Sequence, residues 1–495
     1  MILKIIGHSF RYEMECLCRI FFPSEKIIVL HTDDNERQPC TVTTKMIVAE
    51  KTAQVYAKAE VEDKSEICVR NLNEISSQTD TEIEKSMAVA LFTALSRATG
   101  YKPPWGILTG VRPAKLMANL MMSLGERKAF EYFKNELLVS DTKTELAFSV
   151  AKCEQETINR VDKNLFSLYI AIPFCPSRCS YCSFVSHSIA SANAKKIVPE
   201  YVEKLCEEIK AIGRIASKFK LSPQTIYFGG GTPTSLDEQD LQRLFFEIKN
   251  SFNLSAVTEY TVEAGRPDTV SSQKLSLMKQ HGISRISINP QSFNDQVLEN
   301  AHRNHTSKCA IDAFNHARKI GFDNINMDLI AGLPLDTPDS FERTLSTALD
   351  LAPENITLHT LALKRASDLN ATGCMPSNSA YVSEMIKIAD NKLKAFGYAP
   401  YYMYRQSLSA GNHENVGWSK PNFEGLYNVI MMEECQTVLA AGAGGVTKLI
   451  HTGSKRLERI FNFKYPYEYI RRFDEITDRK QSIVDHYINR QSPFD

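Results

Sequence analysis

A chain of 495 residues, 43% hydrophobic and 23% charged, is long enough for more than one buried core and too apolar to stay disordered. Lysine plus arginine and aspartate plus glutamate each number 58, so no global basic field draws nucleic acid or an anionic membrane, and no apolar run approaches the ~20 residues of a membrane span. The opening Met1-Ile2-Leu3-Lys4-Ile5-Ile6-Gly7-His8 is apolar only briefly and lacks a cleavage pattern, and twelve cysteines are too few for a disulfide scaffold in a chain this long. The expectation is a cytoplasmic protein with reduced thiols and with neither nucleic acid nor a membrane among its partners.

From Met1 to about Asp162 the pattern is mixed. Alternation predicts strands over Lys26–Leu30 and Gln54–Val61, and a helix follows from about Glu82 to Thr99 with Ala88, Leu91, Phe92 and Leu95 on one face. This describes a small α+β domain, residues 1–162. Lys102 to Pro113 is rich in turn residues and is expected as a rigid connector, with a substrate or partner contact through Trp105 and Arg112 as the other reading.

After Lys163 the rhythm becomes strand, turn, helix, repeated. Apolar runs Ser167–Ile172, Thr225–Phe228, Glu259–Glu263, Arg285–Asn289, Ile325–Ile330 and Asn355–Thr360 are short enough for buried parallel strands. Amphipathic segments lie between them: Glu200–Phe219, Glu238–Asn250, Val270–Gln280, Ser307–Ile320 and Ser340–Leu351. Alternating units of this kind give an α/β fold with a parallel sheet, and six strands suggest a partial (β/α)6 TIM-like barrel over residues 163–400. Reactive residues of such barrels collect at the strands' C-terminal ends.

Three thiols, Cys175, Cys179 and Cys182, follow the first of these strands at C-x-x-x-C-x-x-C spacing. Thiolates are the ligands that Fe–S clusters select, and three of them leave one iron of a cubane without a protein ligand. A zinc knuckle or buried free cysteines are the alternatives, but zinc usually takes two separated pairs and no second pair is evident. The other nine cysteines, Cys16, Cys18, Cys40, Cys68, Cys153, Cys206, Cys309, Cys374 and Cys435, are scattered and read as structural. Gly229-Gly230-Gly231-Thr232-Pro233 follows the second strand, where missing side chains let backbone approach a ligand. Glu263 ends the third, Gln291 follows the fourth, and Asp328 lies inside the fifth, where an unpaired acid is costly. Arg303 suits a carboxylate, which its guanidinium can clamp bidentately.

The cysteine loop, with Tyr181 before the third thiol, resembles that of the radical S-adenosylmethionine (SAM) superfamily. Tyr169–Cys182, Gly229–Thr234, Thr261–Ala264, Arg285–Ser287, Gln291–Phe293, His302–His305, Asp328–Pro334 and Ala441–Gly444 occur in the order typical of oxygen-independent coproporphyrinogen III oxidase. The N-terminal domain, the Pro104–Pro113 loop and the runs Tyr402–Gln406 and Glu414–Gly417 resemble its coproporphyrinogen dehydrogenase branch, called HemZ. The resemblance implies a 4Fe-4S cluster on Cys175, Cys179 and Cys182. It also implies SAM lined by Tyr169, Tyr181, Gly230, Gly231, Thr232, Glu263, Gln291, Arg303 and Asp328, with Ala362 and Val446 placed by motif spacing. It further implies a porphyrinogen substrate, a reduced flavodoxin- or ferredoxin-like electron donor, and a short substrate-covering C-terminal region, residues 401–495. Arg405 is the candidate anchor for a propionate.

Two positions depart from the resemblance. The best-known members carry histidine at the position of Ala171, and many carry a fourth cysteine at that of Phe184; haem-chaperone relatives share the phenylalanine. Two further readings therefore stand beside decarboxylation. One is a haem-binding relative using a histidine such as His187, His302, His305 or His413, and the other is a radical enzyme acting on haem itself.

Overall fold

The computed structural model describes residues 1–23, 25–31, 39–49, 52–72, 79–182, 187–362, 379–406, 409–451 and 456–491. Phe184, Leu363 and Cys374 fall outside the described residues. The chain divides into two compact units: residues 1–151 with 405–413, and residues 152–404 with 414–495.

The first unit is a five-stranded sheet backed by helices. Its strands are β1 (Ile2–Ile6), β2 (Ile28–Leu30), β3 (Cys40–Ala49), β4 (Thr52–Val61) and β5 (Lys64–Leu72), in the order β2-β1-β3-β4-β5. β1 runs parallel to both neighbours, while β3, β4 and β5 form an antiparallel meander. Helix α1 (Arg11–Phe21) links β1 to β2, and α2 (Asp80–Thr99) follows β5. Val55, Ala57 and Ala59 alternate inward along β4 and pack with Met87, Leu91, Phe92 and Leu95 of α2. A capping box between Thr79 and Glu82 starts α2, and Gly100 in the left-handed region ends it. Helices α3 (Pro113–Leu124), α4 (Glu126–Asn135) and α5 (Asp141–Ile158) complete the N-terminal region.

Arg405, the candidate propionate anchor, belongs to this unit, where its guanidinium meets backbone carbonyls. Its Nη1 donates to the carbonyl oxygens of Leu108 and Gly110 at 2.6 and 3.3 Å, its backbone N–H reaches the Val111 oxygen at 2.8 Å, and its guanidinium lies 5.6 Å from the Trp105 ring centre. The guanidinium thus ties to the 102–113 loop, and Trp105 is buried beside it. The connector reading of that loop fits this geometry.

The second unit is built on one long sheet. Strands β6 (Phe166–Ile172), β9 (Pro223–Gly230), β10 (Glu259–Glu263), β11 (Arg285–Ser287), β12 (Ile325–Ala331) and β13 (Asn355–Thr360) lie side by side and parallel. These are the six expected strands. The sheet extends at both edges: β15 (Glu414–Ser419) pairs antiparallel with β13 and is followed outward by β14 (Ala399–Arg405). On the far side β16 (Val438–Ala441) runs parallel to β6, followed by antiparallel β17 (Val446–Ile450) and β18 (Leu457–Phe461). The outermost strands are not neighbours, so the sheet is open, as a partial barrel is. Much of the C-terminal region thus becomes sheet.

Helices α6 (Ala192–Lys218), α7 (Glu238–Ser251), α8 (Ser272–Gln280), α9 (Asp295–Asn300), α10 (Ser307–Ile320) and α11 (Pro338–Leu351) connect the parallel strands. Asp237, Ser271, Thr306 and Thr337 each accept a backbone N–H to cap α7, α8, α10 and α11, so these four helices start at a defined residue. α6 starts eight residues before the expected Glu200, because packing carries the helix through Pro199. The short pair β7 (Phe174–Cys175) and β8 (His187–Ser188) frames the cysteine loop.

Candidate active site

The cysteine loop is stitched to the glycine run by backbone. Gly231 N–H donates to Ile172 O and Thr232 N–H to Phe174 O, both at 2.7 Å. A Cβ on Gly231 would lie 2.5 Å from Phe174 O, and Gly230 takes a φ of +106°, so both positions demand glycine. Ile189 N–H reaches Cys175 O at 2.9 Å, Ser180 N–H reaches Ala301 O at 3.1 Å and Cys182 N–H turns back to Cys179 O at 3.1 Å. The loop is therefore held at both ends and in the middle.

Side chains then aim at the sulfurs. Thr232 Oγ1 lies 3.5 Å from Cys175 Sγ, and both Arg303 Nη1 and Arg266 Nη1 lie 3.7 Å from Cys179 Sγ. Arg303 also donates to Tyr181 Oη at 2.9 Å, Gly265 O at 3.2 Å and Asn289 O at 2.6 Å, which fixes its plane. His305 is buried beside these cations; burial and then the charges of Arg303 and Arg266 push its pKa down to about 3, so it stays neutral.

The strand ends carry a second group. Tyr227 of β9 donates to Glu263 Oε1 of β10, and burial lifts the Glu263 carboxyl to about 7, with the nearby Asp328 charge adding to it and the Tyr227 bond opposing it. Asp328 behaves oppositely: burial would raise it, yet His359, Asn326 and Thr357 hold it below its ordinary value. His359 Nε2 lies 3.7 Å from Asp328 Oδ2, and Asn326 Nδ2 donates to Oδ1 at 2.8 Å. Two acids on strands separated by β11 are thus shifted in opposite directions, Glu263 upward and Asp328 downward. Tyr169, Tyr227 and Tyr427 stack in one pile, with Tyr227 and Tyr427 centred 4.3 Å apart. Gln291 is held at φ +67° by Gln291 N–H to Asp328 O and Ile330 N–H to Gln291 O. That left-handed backbone costs about 1–2 kcal/mol for a residue with a side chain, and such strain collects at functional sites.

The geometry brings together Cys175, Cys179, Tyr181, Gly230, Gly231, Thr232 and Arg303 through direct contacts around the loop. Cys182 completes the loop, and Tyr169, Glu263, Gln291 and Asp328 stand on the adjoining strand ends. Ala362 lies just past β13 and Val446 opens β17; their small side chains make none of the polar contacts that join the others. Ala171 lies against the glycine loop after β16: a Cβ on Gly442 would lie 2.5 Å from Ala171 O and 3.1 Å from Ala171 Cβ, so this close approach requires glycine at 442. Of the four histidines considered as haem ligands, His302 is exposed, His305 is buried near Cys179, and His187 borders a cavity lined with Tyr467. His413 belongs to the first unit.

Sequence reasoning missed Arg266, Tyr227, His359 and Tyr427. Arg266 and His359 sit at or just beyond strand ends and were findable by position. Tyr427 comes from the helix Leu426–Glu433, whose first amides bond the Glu259 carboxylate at 2.7 and 3.3 Å, and no local signal places it there.

The residues fit the cluster and SAM. Arg303 Nε, Gln291 Oε1 and Ser180 Oγ are buried with no protein partner, although such atoms normally find one. Two guanidiniums aimed at a single sulfur suit a thiolate ligand. Among the described residues no three His, Cys, Asp or Glu side chains lie close enough together to hold a single metal ion. No helix among the described residues is long and apolar enough to cross a membrane.

Comparison with known proteins follows the same outline. The family model of the Radical SAM superfamily matches residues 169–348. The oxygen-independent coproporphyrinogen-III oxidase-like protein HemZ of Bacillus subtilis (strain 168) is 37% identical over 406 residues, covering 81% of this chain and 80% of that protein. The heme chaperone HemW of the same organism is 34% identical over 268 residues, covering 52% of this chain and 68% of its own. Among solved structures, coproporphyrinogen III oxidase (HemN) from Escherichia coli aligns with a TM-score of 0.51 at 22% identity over 66% of this chain and 73% of that one, a likeness of fold.

Proposed function

The chain belongs to the oxygen-independent coproporphyrinogen III oxidase-like family of radical SAM proteins, and from that membership we propose that it converts coproporphyrinogen III to protoporphyrinogen IX by oxidative decarboxylation of two propionates. The observation that carries this reading is the reach of the likeness to HemZ, 81% of the chain, which extends past the unit bearing the site. A reduced flavodoxin- or ferredoxin-like protein is the proposed electron donor, and the cytoplasm the proposed compartment.

When bound, the cluster and SAM supply one-electron cleavage to a 5′-deoxyadenosyl radical able to take hydrogen from a propionate β-carbon. The chain's own residues bind and position. Cys175, Cys179 and Cys182 hold the cluster, and Arg303, with Nε still unpaired, offers charge to the methionine carboxylate. Asp328, kept anionic by its three partners, accepts from ribose hydroxyls. Glu263 lies close enough to neutrality to ionise when the methionine ammonium arrives beside it, since a nearby opposite charge lowers a carboxyl pKa. Gly230 and Gly231 leave backbone open to the ligand, and the tyrosine pile keeps water from that flank of Glu263.

A second reading, a haem-handling relative without decarboxylase activity, is favoured by the 34% identity to HemW and by Ala171. One anaerobic experiment separates them. Reconstituted protein with SAM and reductant is given coproporphyrinogen III or haem, and products are identified by mass, with Cys179→Ala as the control. Loss of two carbon dioxide units from coproporphyrinogen III supports the first reading. Deoxyadenosine without that product, together with stoichiometric haem binding, replaces it with the second.

A further inference from the structure

Arg266 lies three residues beyond Glu263 and is only 3% exposed. Its Nε and Nη2 bind Asp268 Oδ1 and Oδ2 at 2.9 and 3.0 Å, a fork-to-fork pair. The third nitrogen, Nη1, turns the other way, 3.1 Å from Ser177 Oγ and 3.7 Å from Cys179 Sγ. Arg303 approaches the same sulfur at 3.7 Å, and the Thr232 hydroxyl lies 3.5 Å from Cys175 Sγ. Two guanidiniums thus converge on Cys179.

Burying a guanidinium costs several kcal/mol unless it is paired, and Asp268 supplies that pairing for Arg266. The pair alone does not account for Nη1, which is held within the cysteine loop rather than toward solvent. Hydrogen bonds to cluster sulfurs and local net charge both set the potential of an iron–sulfur centre, because reduction makes the centre more negative and donors favour that state. Arg303 is fixed by three oxygen acceptors. Arg266 differs in that its charge is offset by a carboxylate two residues away, which makes its effect adjustable in either direction.

We propose that Arg266, oriented by Asp268, is a positioning residue that raises the reduction potential of the cluster through its hydrogen bond to Cys179. The proposal rests on the loop carrying a 4Fe-4S cluster and is independent of the tetrapyrrole. Full-length parent, Arg266→Gln and Asp268→Asn proteins are reconstituted without oxygen and titrated with dithionite and mediators, with no tetrapyrrole present, while the reduced-cluster paramagnetic signal is followed. In Arg266→Gln the reduced-to-oxidised ratio at fixed solution potential is expected to fall about tenfold, about 59 mV for a one-electron couple. In Asp268→Asn, where the guanidinium loses its counter-charge, the ratio is expected to rise. Opposite shifts support the proposal, since general loosening of the loop cannot produce both signs. Unchanged potentials, or shifts in one direction, overturn it.

If Arg266→Gln assembles no cluster, Arg266→Lys takes its place: a lower potential than the parent supports the fork, and an equal one overturns it. A parent that takes up no cluster would overturn the cofactor reading itself. Failure to decarboxylate coproporphyrinogen III with an intact, tunable cluster would overturn only the substrate.

Discussion

The two units solve burial in opposite ways. In the first, a sheet and α2 close over Leu3, Ile5, Val42, Val55 and Leu91, and although Lys4, Lys143 and Arg405 are buried, no Asp or Glu of that unit is buried among the described residues. In the second, Glu208, Glu259, Arg266, Arg285 and Arg303 are all buried. Each unpaired buried charge costs several kcal/mol, so their presence requires partners. Glu208 has four: Lys480 Nζ at 2.6 Å, Gly442 N–H at 2.8 Å, Tyr469 Oη at 2.6 Å and Asn462 Nδ2 at 2.8 Å. The comparison teaches where chemistry can live. The first unit's sheet packs mainly hydrocarbon, while the second unit buries carboxylates and guanidiniums together and leaves Arg303 Nε and Gln291 Oε1 beside the cysteine loop and strand ends without a protein partner.

The largest test of that contrast removes one buried partner. Lys480→Met leaves the Glu208 carboxylate short of its cation and is expected to cost about 3–5 kcal/mol, read as a lowered urea midpoint, with the added change Glu208→Gln restoring at least half. No recovery in the double variant would mean that lysine packing, not charge, stabilises this corner.

A smaller effect is expected at Glu263. Its folded pKa of about 7 stands above the ordinary 4.5, so the stability it contributes is complete below about pH 4.5 and is lost as pH rises through about 7. Glu263→Gln escapes that loss. Its melting temperature relative to the parent should therefore climb by a few degrees between about pH 5 and pH 8, while SAM affinity falls. A pH-independent difference would show that the carboxyl is not strained in the ligand-free protein.

The smallest effect belongs to the dry unit. Thr79→Ala removes the capping box of α2 and should cost about 1 kcal/mol of that unit's stability with no change in the reconstituted cluster's absorption. A change in cluster content would mean that the two units are energetically coupled.

The periodic segments were legible because their physics is local. All six parallel strands and the helices α7, α8, α10 and α11 appear within a few residues of expectation, since apolar runs and side-chain caps are written next to one another, whereas the short α9 was not expected. Cys175, Cys179, Cys182 and the Gly229–Thr232 run were legible for the same reason. The edges of the sheet were not: β16 reaches β6 across more than half the chain's length, and nothing in Val438–Ala441 names its neighbour. Arg405 was read from the sequence as a candidate propionate anchor, and its contacts to the carbonyls of a loop some 300 residues earlier in the chain had no local signal.

The order of residues alone thus determined the thiol spacing, the alternation of strand and helix, and the acids at strand ends, because each depends on neighbours a few positions away. Tertiary structure alone decided that Glu263 is lifted and Asp328 lowered, that Ala171 faces the Gly442 loop, and that Arg266 meets Cys179. Charge, burial and hydrogen bonding at a point depend on every chain segment folded against it, and that sum exists only once the sheet has formed.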